Sequence, residues 1–167
     1  MTLTFDLVGN INDELFHELH NAIVSQKEAI DHLHLNISSL GGSVSSAVTI
    51  YNYLKKQNFL VTTHNLGETS SAAVLIYLAG KKRTAEKISK FIMHPIKYNT
   101  NASLSYFQIE ELLHTIDADI KNYGNIVNQE TNYLNSIYDV DKCLRESSIV
   151  LDYDSAYKCG IIASLSN

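Results

Sequence analysis

The sequence predicts a single α/β domain built on a mostly parallel β-sheet. Some segments alternate apolar and polar residues, as strands do, and others repeat apolar residues every three or four positions, as helices do. The two kinds of segment follow one another along the chain, and 167 residues with 45% hydrophobic and 19% charged residues suit one globular core. Strands joined by helices in this rhythm form a parallel sheet with right-handed crossovers. We therefore expect residues 1–167 to form one domain.

The first half of the chain is expected to alternate strand and helix. Strands are predicted at residues 4–8, 33–37 and 59–63, which alternate in polarity or are rich in β-forming residues. Helices follow the first two strands, and turns are expected wherever glycine falls between segments. The apolar residues that mark these two helices are Leu15, Leu19, Ile23, Ala47, Ile50, Tyr51 and Leu54. The predicted turns lie at 9–10, 38–43 and 67.

The second half begins with an apolar helix at 71–79 that should be buried all round, followed by a strand at 91–93. Ser105 and Gln108 have the spacing of a capping box, and the apolar pattern after them predicts a helix of about 30 residues, 106–136, roughly 45 Å long. A helix of that length would project beyond its own core and contact another copy of the chain. A short helix capped by Asp152 and ended by Gly160, then a last strand at 161–162, complete the expectation.

Composition excludes several classes of function. The net charge of −5 argues against a protein that binds nucleic acid through its phosphates. No apolar run approaches the ~20 residues of a membrane span, and no signal peptide opens the chain. Two cysteines far apart indicate a reducing, cytoplasmic compartment. No pattern predicts a metal site or a cofactor.

Two strand-to-helix loops are candidates for chemistry. In residues 39–43 paired glycines expose backbone amides that can hold a phosphate, a carboxylate or an oxyanion, although the same loop also fits a simple tight turn. In residues 67–72 a serine opens a buried helix, where the helix dipole favours negative charge. Ser70 or Ser71 would equally serve as a plain helix cap.

A single histidine stands apart from the other six. His94 directly follows the apolar strand 91–93 and precedes Pro95. Functional sites in open α/β sheets gather at the carboxyl ends of strands, so His94 is a candidate site residue.

The order of these features resembles a known family. The segment Ile37–Val44 is similar to the pattern INSPGGSV, 67–73 to GQAASMG, 91–95 to VMIHQP, and 156–162 to a closing AxxYGLI. The family is ClpP, the proteolytic subunit of the Clp protease, within the crotonase-like group. The likeness runs from about residue 4 to the C-terminus. It implies a fold of repeated ββα units with a mostly parallel sheet and a long projecting handle helix.

The resemblance implies a function and its residues. Ser71 would be the nucleophile and His94 the general base of a serine peptidase that needs no metal or cofactor. The backbone amides of Gly42 and Ala72 would form the oxyanion hole. A strand after His94 would hold a peptide or an unfolded protein segment in extended form. The handle helix would interdigitate two rings in a homo-oligomer.

Three departures from the family pattern qualify this reading. The chain opens almost at its first core strand, so the axial-loop segment is expected to be absent, which leaves an AAA+ ATPase partner without its usual docking element. The glycine-rich stretch after the catalytic histidine is replaced by residues 96–101. The triad aspartate also has no counterpart: a gap-free count puts Ser148 in its place, and Glu146 lies two residues away.

Three functions remain open at this point. The first is a serine endopeptidase in which Ser148 or Glu146 is the third member of the catalytic set. The second is a catalytically weak or inactive subunit that acts as a scaffold or regulator, which the missing acid favours. The third is an acyl-CoA enzyme of the crotonase group, which usually relies on acidic side chains instead of a serine–histidine pair.

Overall fold

The computed structural model describes residues 1–131 and 134–163 of the chain. Six strands and seven helices are present in these two ranges. In chain order they are β1 Thr2–Ile11, α1 Asp13–Val24, β2 His32–Gly42, α2 Val44–Lys55, β3 Leu60–Ser70, α3 Ala73–Leu78, β4 Lys82–Ala85, β5 Lys90–Met93, α4 Tyr106–Glu130, α5 Leu134–Ile137, α6 Val140–Arg145, β6 Ile149–Asp152 and α7 Tyr153–Lys158.

The six strands form one sheet in the order β1-β2-β3-β5-β6, with β4 paired to β3. Every pairing is parallel except that of β5 with β6, which is antiparallel. This is the mixed α/β architecture with a mostly parallel sheet and a long helix that the sequence predicted. The carboxyl ends of β2, β3 and β5 meet at one edge of the sheet, which is where a site is expected.

The first three strands are longer than predicted, and the predicted turns were wrong. Gly9, the pair Gly41 and Gly42, and Gly67 lie inside β1, β2 and β3. One register shift falls between Val8 and Asn10 on β1, and another between Asn65 and Thr69 on β3, around Gly67. A glycine with positive φ can form a β-bulge that bends a strand without ending its pairing. Gly9 and Gly41 have φ values of 103° and 104°.

The long helix is confirmed but ends earlier than predicted. Its capping box is present: Gln108 N–H donates to the Ser105 hydroxyl, and the Gln108 side chain accepts from Ser105 N–H. The helix ends at Glu130 because Thr131 turns to extended backbone, so its 25 residues span roughly 37 Å. Residues 132 and 133 of the predicted range lie outside the described part of the chain.

Other differences are confined to short elements. Helices α5 and α6 and strands β4 and β6 were not predicted, because four to six residues carry too little periodicity. The predicted strand at 161–162 is wrong: Ile161 and Ile162 are buried, and both donate their N–H groups to the carbonyl of Ala156 behind α7. Asp152 caps α7 as predicted.

The core lies between the sheet and the helices. All six residues of α3 are fully buried, as the sequence predicted for this helix. At the end of α4, the buried Arg83 guanidinium donates hydrogen bonds to four carbonyl groups, those of Gly80, Glu130, Gly160 and Ile161. These bonds fasten the C-terminal end of the long helix to the domain.

Candidate active site

A pocket of about 330 Å³ brings together most of the residues that the sequence singled out. Gly42 comes from the end of β2, Ser71 from the residue after β3, and His94 from the residue after β5. The remaining lining residues are Leu40, Ser43, Val44, Ile96, Lys97 and Tyr98. Ala72 follows Ser71 directly and is fully buried. Ser148 and Glu146 do not line this pocket.

Ser71 is held in a strained backbone conformation. Its φ of 53° makes it the one non-glycine residue with positive φ in the described ranges. Such a conformation costs on the order of 1–3 kcal/mol and persists only where the surroundings enforce it. Here Ser71 N–H donates to the Ile92 carbonyl at 2.7 Å, and the Tyr123 hydroxyl donates to the Ser71 carbonyl at 2.9 Å. One bond ties the turn to β5, two residues before His94, and the other ties it to α4.

The two neighbouring serines have different surroundings. Ser70 is 3% exposed, and its hydroxyl donates to the Glu68 carboxylate at 2.7 Å. An ion pair with Lys90 at 2.8 Å, together with that hydroxyl, lowers the pKa of Glu68. Ser71 is half-buried and lines the pocket. Neither serine caps α3, since its N-cap is Ala72 and has no side-chain hydrogen bond.

Both glycines of the 39–43 segment are required by close contacts. A Cβ at Gly41 would lie 2.6 Å from Ser71 Cβ and 2.9 Å from the Ser70 carbonyl oxygen. A Cβ at Gly42 would lie 2.3 Å from the Ile11 carbonyl oxygen. Only glycine therefore lets the end of β2 approach the Ser71 turn this closely.

His94 is half-buried, and its Nδ1 lies 2.9 Å from the carbonyl oxygen of Pro95. The two candidates for the third catalytic residue, Ser148 and Glu146, lie outside the pocket. The last pair of β5 and β6 is Met93 with Ile149, and His94 and Ser148 are the residues next to this pair on the two chains. Ser148 and Glu146 are both exposed, and in the described part of the chain neither side chain forms a hydrogen bond to His94.

The segment that follows His94 forms one wall of the pocket. Residues 94–105 do not form a strand, so the predicted extended strand after His94 was wrong. Pro95 has no N–H to donate to a strand ladder. Tyr98 instead donates a hydrogen bond from its hydroxyl to the Asp119 carboxylate on α4. Burial and this bond raise the pKa of Tyr98 to about 12, so the phenol remains a donor at neutral pH.

The sequence did not indicate the supporting tyrosines. In the sequence, Tyr123 is one residue of the apolar pattern that predicts the long helix, and Tyr98 lies in the substituted stretch 96–101. A tyrosine on a buried helical stripe usually directs its hydroxyl to a polar partner, which was the available signal for Tyr123. Nothing local indicates that its partner is the Ser71 carbonyl, 52 residues away in sequence.

Other features of the surface do not add to this site. A larger cleft of about 790 Å³ lies between α4 and the α5–α6 segment, and neither Ser71 nor His94 lines it. Across residues 1–131 and 134–163, no group of three or more histidine, cysteine or acidic side chains is arranged to hold a metal ion. Within the same ranges no helix is long and apolar enough to cross a membrane.

The fold places a serine turn and a histidine at the carboxyl edge of a mostly parallel sheet, the edge at which α/β proteins carry their functional sites. Comparison with known sequences identifies the family: residues 3–166 match the family described as Clp protease. The chain therefore belongs to the Clp protease family.

Two relatives illustrate the range of similarity. An ATP-dependent Clp protease proteolytic subunit from Pleurastrum terricola is 29% identical over 92 residues, which are 53% of this chain and 47% of that protein. The match thus spans about half the length of this curated relative. A point variant of ClpP1 from Listeria monocytogenes superposes with a TM-score of 0.75 at 19% identity, covering 98% of this chain and 91% of that chain. At that identity the likeness shows the fold.

Proposed function

We propose that this protein is a serine endopeptidase that cleaves peptides or unfolded protein segments by acyl transfer. The single observation that carries the proposal is the pocket in which Gly42, Ser71 and His94 meet. Membership of the Clp protease family supports the same reaction class.

In this mechanism the Ser71 hydroxyl attacks the scissile carbonyl carbon while His94 accepts its proton. The amides of Gly42 and Ala72 stabilise the oxyanion of the tetrahedral intermediate. When the carbon–nitrogen bond breaks, His94 returns the proton to the leaving amine, and the acyl group stays on Ser71. A water molecule then attacks the acyl carbon while His94 accepts its proton. His94 passes that proton to the Ser71 oxygen as the ester bond breaks, and the carboxylic acid product leaves.

A matched pair of serine variants tests this assignment. We expect Ser71→Ala to abolish labelling by a fluorophosphonate probe and cleavage of an unstructured peptide, with the fold retained. Ser70→Ala, which removes only the bond to Glu68, should keep both activities within a fewfold. Loss of activity in the Ser70 variant, together with an active Ser71 variant, would refute the assignment.

We also propose that the chain assembles into a homo-oligomeric ring, with stacked rings joined through α4. The buried residues of α4 all lie between Asp119 and Val127. The first half of the helix instead exposes apolar side chains, namely Tyr106, Phe107, Ile109 and Leu113. Burying a side chain of that size contributes roughly 1.5–3 kcal/mol, so this stripe favours a second copy. A single mass equal to the monomer at micromolar concentration would disprove the ring.

A second candidate function is a scaffolding or regulatory subunit with weak or no catalysis. The observation that favours it is that no carboxylate of residues 1–131 or 134–163 forms a hydrogen bond with the His94 ring, whose bond is to the Pro95 carbonyl, and that Ser148 and Glu146 are both exposed. A folded, ring-forming protein that fluorophosphonate never labels at Ser71 would select this function over the peptidase.

A further inference from the structure

A serine–histidine pair works only when the nitrogen that faces the serine carries no proton. Nε2 must be free to accept the serine proton, so the remaining proton of the neutral ring must sit on Nδ1. A carboxylate usually enforces this by accepting a hydrogen bond from Nδ1–H. The two residues that could replace it, Ser148 and Glu146, form no hydrogen bond to His94 in the described part of the chain.

The backbone of the next residue already occupies the position of this acceptor. His94 Nδ1 lies 2.9 Å from the Pro95 carbonyl oxygen. A carbonyl oxygen can accept a hydrogen bond but cannot donate one. The hydrogen bond therefore requires the proton on Nδ1, which leaves Nε2 of the neutral ring unprotonated.

The peptide group that carries this carbonyl is itself held in place. Its N–H belongs to Ile96 and donates to the carbonyl of Leu144 at 3.0 Å. Leu144 is buried on α6. The three groups form a chain from Nδ1–H through the Pro95–Ile96 peptide to the Leu144 carbonyl, and hydrogen bonds in such chains polarise one another.

The proline contributes a second constraint. Its ring fixes φ near −65°, and a residue that precedes proline is restricted to extended backbone. Both residues of the His94–Pro95 pair therefore lose little conformational freedom when the hydrogen bond forms. The contact is part of the folded backbone and needs no side chain from elsewhere.

We infer that the Pro95 carbonyl takes the orienting place in the catalytic set of this chain, in which Ser71 and His94 are the reacting residues. This inference rests on the proposed function. During attack the Ser71 proton moves to Nε2, and the imidazolium keeps its Nδ1–H bond to the Pro95 carbonyl. On collapse of the intermediate the same proton leaves with the amine, so the ring returns to its starting tautomer.

A carbonyl orients the ring but brings no full negative charge. The imidazolium that forms during attack is therefore less stabilised than it would be beside a carboxylate. The expected enzyme has a correctly arranged base and a slow turnover, and its rate should not depend on Ser148 or Glu146. Replacing either residue with alanine should change kcat by less than about twofold.

The tautomer of His94 can be measured without any activity assay. Protein labelled with ¹⁵N at histidine is studied by NMR at about pH 8.5, well above the ordinary histidine pKa of ~6.5, where the rings are neutral. His94→Asn identifies the His94 signals among the seven histidines. His64 is the internal comparison: its Nε2 lies 3.3 Å from the Glu86 carboxylate, which only accepts, and its Nδ1 faces the Thr84 hydroxyl, which can donate, so the opposite tautomer is expected there. We expect the His94 proton on Nδ1, and a proton mainly on Nε2 would overturn the inference.

A pair of methylated histidines separates the inference from the proposed function. Nε2-methylhistidine at position 94 removes the base and should abolish cleavage. Nδ1-methylhistidine leaves the base but removes the bond to Pro95, and we expect kcat to fall at least tenfold with KM little changed. Unchanged kcat in the Nδ1-methyl protein would mean that the carbonyl does not orient the ring. An Nδ1–H tautomer in a protein that fluorophosphonate fails to label would show that the carbonyl sets the tautomer, but it would refute the peptidase and with it the catalytic role of this contact.

Discussion

Replacing Ser148 with aspartate would place a carboxylate beside the imidazole of His94. The last β5–β6 pair is Met93 with Ile149, so positions 94 and 148 are the next residues along the two chains. If they stay side by side, we expect Cβ atoms about 4.5–5.5 Å apart, as for side chains directly opposite on antiparallel strands. Ser148 is exposed, so the new side chain requires no repacking of the core. The substitution therefore adds charge at the position to which a gap-free count assigns the family's acid.

The expected gain follows from Coulomb's law. Two unit charges 4 Å apart attract by about 1 kcal/mol in water and about 4 kcal/mol at an effective dielectric constant of 20. Because position 148 is exposed, we expect the lower part of this range, about 1–2 kcal/mol, for the imidazolium in the transition state. That corresponds to roughly a 5- to 30-fold rise in kcat.

The assay is steady-state cleavage of an unstructured fluorogenic peptide as a function of pH and salt. The acidic limb of the kcat/KM profile should move up by about one pH unit in the Ser148→Asp variant relative to the native protein, since the carboxylate favours the protonated ring. Ser148→Asn has nearly the same shape without the charge and serves as the first control. Val150→Asp, on the same exposed face but opposite Ile92, controls for general surface charge.

Three results would refute this reasoning. If Ser148→Asn raises kcat as much as Ser148→Asp does, charge is not the cause. If Val150→Asp does the same, the position opposite His94 has no special role. If Glu146→Gln alone removes activity, the acid has moved to that residue and the gap-free count is wrong.

Three further predictions concern the groups that hold the site and the domain together. Tyr123→Phe removes the hydrogen bond to the Ser71 carbonyl. We expect the free energy of unfolding to fall by about 1 kcal/mol and kcat to fall roughly tenfold at similar KM. An unchanged kcat would contradict this prediction. Arg83→Met leaves four carbonyl groups without their buried donor, while the Glu130 carboxylate keeps Lys55 and Tyr51 as partners. Urea denaturation should show a loss of about 3–5 kcal/mol, and a loss below about 1 kcal/mol would count against this prediction. Burial, together with the nearby His34 and Lys82, lowers the pKa of His32. The His32 ring therefore takes up its proton at higher pH in the unfolded chain than in the folded protein. The free energy of unfolding should fall as the pH drops below about 6.5, and His32→Gln should flatten the dependence of the urea midpoint on pH.

Local signals in the sequence were sufficient for the class of fold. The spacing of Leu15, Leu19 and Ile23 predicts a helix with one buried face, and all three are buried on α1. The capping box at Ser105 and the cap at Asp152 were also readable, because each acts on a backbone group three residues away. Such features depend on neighbours in the chain and need no tertiary contact.

The ends of the strands could not be predicted from neighbouring residues in the sequence. Gly9 and Gly41 look like turns in isolation, yet both lie inside strands that continue to pair. Whether a glycine ends a strand or forms a bulge depends on whether a neighbouring strand is present to accept the bent register. That neighbour is distant in sequence, so only the assembled sheet decides the outcome.

The same limit applies to the candidate site. The sequence by itself determined that Ser71 and His94 follow strands whose carboxyl ends meet, and its family motifs named both residues. Only the tertiary structure decided how they are held: the Tyr123 hydroxyl donates to the Ser71 carbonyl, and the Pro95 carbonyl oxygen lies at hydrogen-bond distance from His94. A strained serine and an oriented imidazole each require an atom at hydrogen-bond distance, and the position of such an atom is set by the packing of the whole chain.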